Sequence, residues 1–207
     1  MDQPAPTDLR PKAGAVAAAA EDEPAREALL REAEAALRRL APDLPPDAPV
    51  LLRRLFADVP GPELAGIPSE TVAEAAASLY AFARERPPGE AKLRVLPPGS
   101  GRGPHAVAEI VTDDMPFLVD SALAALARQG RVVRQLLHPV VAVRRDAAGR
   151  LLSLGDGADA AGAAPESMMR ITVGAAQTAM LPGQGAGGWP DLERLLARAM
   201  ADVRLAV

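Results

Sequence analysis

The feature that most constrains the fold is a change in hydrophobic period near residue 90. Before it, apolar residues recur at intervals of three and four, which is typical of amphipathic helices. After it, Lys92-Leu93-Arg94-Val95 alternates with a period of two, as a half-buried strand does. The sequence therefore predicts a helical segment over residues 23–89 and an α+β domain over residues 90–207.

Three helices are predicted in the first segment. The first begins at Pro24, because proline suits the first turn of a helix, and ends before Pro42. The second lies within Pro49–Val59. The third begins at Ser69, and Pro87 follows its end. The apolar stripes, interpreted as packing surfaces, include Leu29, Ala33, Ala36, Leu37 and Leu40 on the first helix and Val72, Leu79, Tyr80 and Ala83 on the third.

A capping box is predicted at the opening of the third helix, because Thr71 and Glu74 have the spacing of that motif. Ahead of the helices, residues 1–22 are predicted to be a disordered tail, since they lack large apolar side chains that could offset the entropy of ordering. The alanine-rich run at 13–20 has no positive start and few strongly apolar residues, so it is not interpreted as a signal peptide.

The second segment alternates strands with helices. Ala106–Val111 is almost continuously apolar, as a central strand is. A helix follows with Gly130 as its C′ residue. Val132–Val143 is a strand interrupted at His138-Pro139, and Asp146–Gly149 is a hairpin turn. Another strand and a last helix complete the order, with stripes at Val119, Ala122, Leu123 and Leu126, at Met169, Ile171 and Val173, and at Leu192, Leu195, Leu196, Ala199, Met200 and Val203.

This order predicts an α+β fold of the ferredoxin-like type, an antiparallel sheet with helices on one face, preceded by the helical segment. The last helical stripe reaches Val207 with no Gly, Asn or Pro to end it. We therefore expect the natural polypeptide to continue.

Composition excludes several kinds of partner and site. A net charge of −4 supplies no basic surface for nucleic acid. No stretch has the roughly 20 apolar residues of a membrane-spanning helix. The absence of cysteine excludes disulfides and thiolate metal sites, and is compatible with a reducing, cytoplasmic location. We expect no nucleic-acid partner, no membrane partner and no metal.

Gly183–Gly188 matches the GxGxxG dinucleotide fingerprint, but its context does not fit NAD binding. The nearest predicted strand ends about ten residues earlier, and Trp189-Pro190 separates the glycines from the helix. A second glycine-rich stretch, Gly99–Gly103, leads into a strand, where no helix N-terminus is available for a phosphate. Both are interpreted as loops, so no cofactor is predicted for this chain.

No catalytic residues are predicted. The two histidines, His105 and His138, are not at metal-ligand spacing, and there is no Gly-x-Ser-x-Gly elbow. The candidate binding residues are instead Asp113, Asp114, Met115, Pro116 and Phe117, between the central strand and the next helix. Asp114 is placed to cap that helix and Pro116 suits its first turn. Asp113 is not needed for either role, so it could receive the ammonium of a zwitterion whose carboxylate meets the helix N-terminus.

The segment Asp114–Leu118 resembles the Asp-x-Pro-Gly-Leu start of an ACT domain, an amino-acid-sensing module of metabolic enzymes. The wider chain resembles the amino-terminal region of the large bacterial NAD-specific glutamate dehydrogenases. The residues that carry this resemblance are Ser78–Phe82, Arg86–Lys92, Val107–Ser121, His138–Val140 and Glu166–Met169. Two departures are Phe117, where ACT modules have Gly, and Met168 with Arg170, where an aromatic-and-His pattern is expected.

The resemblance implies a parent enzyme that converts L-glutamate to 2-oxoglutarate with NAD, in glutamate catabolism. Its catalytic and NAD-binding domains would lie downstream, so no catalytic residue is carried over to this chain. The implied partners are those downstream domains, further copies in a homo-oligomer, and an amino-acid effector at Asp113–Phe117. Two functions stay open: an effector-sensing regulatory region, and a purely structural module for oligomer contacts.

Overall fold

The computed structural model describes residues 13–100, 103–155, 162–176 and 188–207. These residues form six helices and one six-stranded antiparallel sheet. The helices are α1 (Ala13–Leu40), α2 (Ala48–Leu55), α3 (Gly61–Leu64), α4 (Ser69–Ala83), α5 (Leu118–Arg128) and α6 (Trp189–Ala206). The strands are β1 (Lys92–Leu96), β2 (Ala106–Asp113), β3 (Arg131–Leu137), β4 (Val140–Arg145), β5 (Leu151–Gly155) and β6 (Ala164–Ala176).

The long strand β6 organises the sheet, whose order is β1-β2-β6-β4-β5, with β3 also paired to β6. Along one side, β2 pairs with β6 from Ala106 opposite Val173 to Asp113 opposite Glu166. Along the other side, β3 and β4 pair with successive parts of β6. The predicted break at His138-Pro139 is confirmed, because these two residues lie between β3 and β4.

One face of the sheet is covered by α5 and α6. Their apolar side chains pack against alternate residues of β2 and β6, all buried. This core contains Ala106, Ala108 and Ile110 from β2, Leu118, Ala122, Ala125 and Leu126 from α5, Met169, Ile171 and Val173 from β6, and Leu192, Leu196, Ala199, Met200 and Val203 from α6. The predicted α+β sheet with helices on one face is confirmed here.

The opposite face is covered by the helical segment. Residues of α1, α2 and α4 share a buried core with Val111, Met168 and the apolar residues of β4 and β5. The predicted helical stripe Val72, Leu79, Tyr80 and Ala83 is buried in this core. The sheet therefore lies between two helical layers, and the helical segment packs on it directly.

Three local predictions were wrong. Helix α1 does not begin at Pro24, which lies inside it, because the preceding alanine-rich run has high helix propensity. Leu40 is 46% exposed, since the buried face of α1 is formed by Leu30, Ala33, Ala36 and Leu37. Thr71 and Glu74 form no capping box, because α4 already begins at Ser69 after Pro68. Residues 1–12 lie outside the described residues, so the disordered tail stays a prediction for them, whereas residues 13–22 belong to α1.

Candidate functional site

The loop between β2 and α5 holds the five residues that the sequence singled out. Asp113 is the last residue of β2, and Phe117 immediately precedes α5. Between them, Met115 is half-buried against the core beneath α5 and α6, whereas Asp114 and Pro116 are exposed. The five residues are therefore contiguous at one end of the sheet, and they differ in their surroundings.

Asp113 is held by two arginines from distant parts of the chain. Its Oδ1 accepts a hydrogen bond from Arg86 Nη2 at 2.6 Å, and Arg86 follows α4. Its Oδ2 lies 2.9 Å from Arg204 Nη2, and Arg204 belongs to α6. Arg204 also donates to Thr112 Oγ1 at 3.1 Å. The carboxylate thus joins the end of β2 to α6 and to the segment that follows α4.

These contacts set the charge of the group. Burial alone would raise the pKa of Asp113, but the hydrogen bonds from Arg86 and Arg204 outweigh it and lower the pKa. Burial would also lower the pKa of Arg86, but its hydrogen bonds to Glu166 and Asp113 raise it. Asp113 and Arg86 are therefore both ionised near neutral pH.

Asp114 does not cap α5, so that prediction was wrong. Its Oδ1 accepts a hydrogen bond from Ser167 Oγ at 2.6 Å, and its N–H donates to Pro165 O at 3.1 Å. The turn places Phe117 at the N-cap position, and α5 has no side-chain cap. Asp114 is drawn instead toward β6, because the loop is fixed there by the backbone hydrogen bond. The first N–H groups of α5 are left without a side-chain acceptor.

Phe117 has a left-handed backbone conformation, with φ of +68°, and its side chain is 68% exposed. Among the described residues no other non-glycine has a positive φ. The conformation costs an L-residue about 1 kcal/mol relative to glycine. This explains why the related motif has Gly at this position, and the strain is present here in an aromatic residue.

The sequence reasoning missed a buried charge cluster on the sheet face that α4 covers. Glu109 is fully buried in β2 and is paired with Arg94 of β1 at 2.6 Å and with Arg170 of β6. Ser78 of α4 donates to the same carboxylate at 2.8 Å. The available signal was one charged residue inside each of two apolar runs, Glu109 within Ala106–Val111 and Arg170 within Met168–Val173.

A second missed cluster continues from the candidate loop. Glu166 is buried in β6 and accepts hydrogen bonds from Arg86 at 2.7 Å and from Arg145 at 2.7 and 2.8 Å. Because Arg86 also binds Asp113, Asp113 lies at the exposed end of a chain of buried ion pairs. Arg86 Nε is buried without a hydrogen-bond partner among the described residues.

The structure also brings His138, Ser167 and Asp114 together, although they are far apart in sequence. Ser167 Oγ donates a hydrogen bond to Asp114, and His138 Nε2 lies 3.0 Å from Ser167 Oγ. With its hydroxyl proton directed to Asp114, Ser167 accepts from His138, so the histidine is not placed to remove that proton. Ser167 is also fully buried. The arrangement is the wrong order for a nucleophilic triad and secures the loop to β6.

The two glycine-rich stretches lie partly outside the residues that the structure describes. Residues 177–187, which include most of the Gly183–Gly188 match, lie outside the described residues, as do 101–102 of the other glycine-rich stretch. Within the described ranges, no cluster of three or more His, Cys, Asp or Glu is arranged to hold a metal ion. In the same part of the chain, no helix has the length and apolar character needed to cross a membrane.

The sheet order, the two helices α5 and α6 on one face and the loop after β2 together define an ACT-like α+β domain. Residues 51–180 match the family model described as the glutamate dehydrogenase ACT1 domain. The chain belongs to this family. The match begins inside α2, so it includes helices that cover the second face of the sheet.

Two curated relatives agree with this assignment. The chain is 32% identical over 134 residues to an NAD-specific glutamate dehydrogenase of Halomonas elongata, which is 62% of this chain and 8% of the relative. It is 31% identical over 104 residues to the NAD-specific glutamate dehydrogenase of Pseudomonas aeruginosa, which is 50% of this chain and 6% of that protein. The matched part thus spans less than a tenth of each relative. No solved structure matches the chain significantly.

Proposed function

We propose that this chain is the amino-terminal regulatory and assembly region of a cytoplasmic NAD-dependent glutamate dehydrogenase. The parent enzyme would convert L-glutamate, water and NAD⁺ to 2-oxoglutarate, ammonium, NADH and a proton. Downstream domains would bind NAD and carry out the reaction, and this region would influence them without a catalytic residue of its own. The family match and the relatives' names support this assignment.

The observation that carries a regulatory role is the position of Asp113. This one partly exposed carboxylate binds Arg86 on one side and Arg204 of α6 on the other. A ligand that competes for it would change how α6 is held. Asp113 is thus a place where a small molecule could alter the packing of a whole helix.

We propose that the ligand is an amino-acid effector bound at Asp113–Phe117. Its ammonium would contact Asp113 Oδ2 in place of Arg204, and its carboxylate would meet the uncapped N–H groups at the start of α5. Asp114, Met115 and Pro116 would set the shape of the loop around it. Release of Arg204 from Asp113 is the step that would pass the signal to α6.

A thermal-shift screen of the twenty amino acids and their 2-oxo acids tests this proposal. A ligand at a hundredfold excess over Kd stabilises the folded state by about 2.7 kcal/mol, which raises the melting temperature by several degrees. The Asp113→Asn variant should lose this shift. The Arg204→Gln variant should bind the same ligand more tightly, because it removes the competing cation.

The matched control is Asp58→Asn, which changes an exposed carboxylate after α2, outside the candidate loop and α5. It should leave the shift intact. If no compound moves the wild-type transition, the sensor proposal fails. If a compound moves it equally in the Asp113→Asn variant, the ligand binds elsewhere.

A second candidate is a structural module that holds copies of the enzyme together. It is favoured by Phe117, a large apolar side chain that is mostly exposed in a strained conformation beside α5 and α6. Sedimentation velocity of the 207-residue chain tests self-association directly, because it does not depend on any effector.

A further inference from the structure

A cleft of about 390 Å³ lies along the outer side of the α5–α6 pair. Phe117 contributes to its lining from the start of α5 and Arg128 from its end, while Asp202 and Val203 contribute from α6. Arg204 near the end of α6 contacts Thr112 ahead of α5, and Trp189 at the start of α6 stacks against Arg131 just after α5. The two helices therefore run antiparallel, and the cleft follows α5 and the second half of α6.

The lining of this cleft is complementary to itself. It contains apolar surface, one exposed cation in Arg128 and one exposed anion in Asp202. No ion pair between Arg128 and Asp202 is formed within the chain, in the parts of it that the structure describes. Opposite charges on one surface allow that surface to pair with a copy of itself, since a two-fold axis brings each charge onto the other.

Phe117 projects at the rim of the cleft. Its side chain is 68% exposed although its backbone is held at φ of +68°, where glycine would be unstrained. An aromatic residue kept in this way supplies contact area that the isolated chain does not use. Exposed aromatic and arginine side chains are the residue types that dominate the binding energy of protein interfaces.

At two edges of the sheet, a side chain binds a strand N–H group. Glu193 of α6 accepts the hydrogen bond of the Val95 N–H on β1 at 2.9 Å. At the other edge, Asp47 accepts the hydrogen bond of the Leu154 N–H on β5 at 2.7 Å. These contacts occupy one N–H group on β1 and one on β5, whereas the side of β3 away from β6 pairs with no strand of the described sheet, so the choice of a helical face rests on the cleft itself.

We infer that a second copy of this chain docks on the α5–α6 cleft about a two-fold axis that runs along the cleft. In this arrangement α5 of each copy lies on α6 of the other. Phe117 packs on the apolar surface around Val203 of the second copy, and Arg128 pairs with Asp202 of the second copy. The inference rests on the proposed self-association and specifies its surface; it needs no effector.

Sedimentation velocity over a range of chain concentrations tests the surface. Wild type should form dimers, and Phe117→Gly should raise the dimer dissociation constant tenfold or more, on the order seen when a central interface aromatic is removed. Its melting temperature at low concentration should stay equal or rise, because glycine accepts the left-handed conformation. The control Leu205→Ala removes a side chain that is 87% exposed on α6 outside the cleft, and should leave the dissociation constant unchanged.

A charge exchange tests the pairing of the two copies. Arg128→Asp and Asp202→Arg should each weaken the dimer by about fivefold, and the double variant should restore it, because the pair is re-formed with reversed sign. A monomeric wild type would overturn the self-association and this surface together. A dimer that Phe117→Gly and both charge variants leave unchanged would overturn this surface alone, and would indicate that the cleft serves another partner.

Discussion

The two faces of the sheet are buried in different ways. Toward α5 and α6, the sheet presents Ala, Ile, Met and Val side chains, and the core there is apolar. Toward the helical segment, the same strands β2 and β6 also present Glu109, Glu166 and Arg170, all buried. Along β2 and β6, the side chains of the apolar face alternate with those of the charged face, because neighbouring positions on a strand point to opposite faces.

This contrast indicates how each face of the sheet selects the helices that cover it. An apolar face stabilises packing in proportion to buried area and tolerates substitutions that conserve volume. The charged face requires particular pairs, because a buried charge without its partner is costly. We infer that the ion pairs define which helices cover that face and in which register, whereas the α5–α6 face contributes most through area.

The largest effect is expected from removing the centre of the charged face. Glu109→Ala leaves Arg170 buried and Arg94 half-buried without their carboxylate, which should lower the free energy of unfolding by about 3–5 kcal/mol. Urea denaturation measures the change. The control Glu74→Ala removes an exposed carboxylate from α4 and should change stability by less than about 0.5 kcal/mol. A loss below 1 kcal/mol for Glu109→Ala would show that the pairs do not specify this face.

A smaller effect is expected on the apolar face. Ile171→Val removes one buried methylene opposite the helices α5 and α6, and should lower the free energy of unfolding by about 0.5–1.5 kcal/mol. The same urea measurement compares it with Val140→Ala, which truncates a side chain that is 44% exposed and should cost less. If Ile171→Val costs as much as Glu109→Ala, the proposed contrast between the faces is wrong.

The smallest effect concerns pH at the place where the loop is fixed to β6. Burial lowers the pKa of His138, while the charge of Asp114 opposes this. The unfolded chain, with the ordinary pKa near 6.5, then binds the proton more readily than the folded chain. Stability from His138 should therefore be present above about pH 6.5 and decline as the pH falls below it.

The variant His138→Gln removes this titration and should flatten the decline of the urea midpoint between about pH 7 and pH 5.5. His105→Gln is the matched control and should leave the decline in place. Identical pH profiles for His138→Gln and wild type would mean that another group titrates. Asp113 is not a competing cause in this window, because its pKa is lowered and its contribution is lost only in more acidic solution.

The elements of the sheet could be predicted because each is encoded locally. The alternation in Met168–Val173 indicated a strand, the apolar run Ala106–Val111 indicated a central strand, and Gly130 ended α5 with a positive φ. The break at His138-Pro139 was predictable because proline has no N–H for the ladder. These signals do not reveal pairing, so the joining of β3 and β4 along β6 needed the structure.

The site was only half predictable for the same reason. The sequence indicated that Asp113 was not needed by the helix, but its partner Arg204 is 91 positions away and belongs to an element whose packing was not known. The capping role given to Asp114 failed because the local pattern carries no information about Ser167 across the sheet. Phe117 stood out as a departure from the glycine of the related motif, but its left-handed backbone became known only from the structure.

The late position of β6 has a consequence for synthesis on the ribosome. Residues 164–176 supply the partner for β2, β3 and β4, so these strands lack their principal neighbour until β6 has emerged. The nascent chain must keep the apolar strand Ala106–Val111 from pairing elsewhere during that interval, since exposed strands are prone to aggregate. The helical segment is synthesised before these strands and is rich in local contacts. It is therefore available to cover one side of the strands until β6 is synthesised.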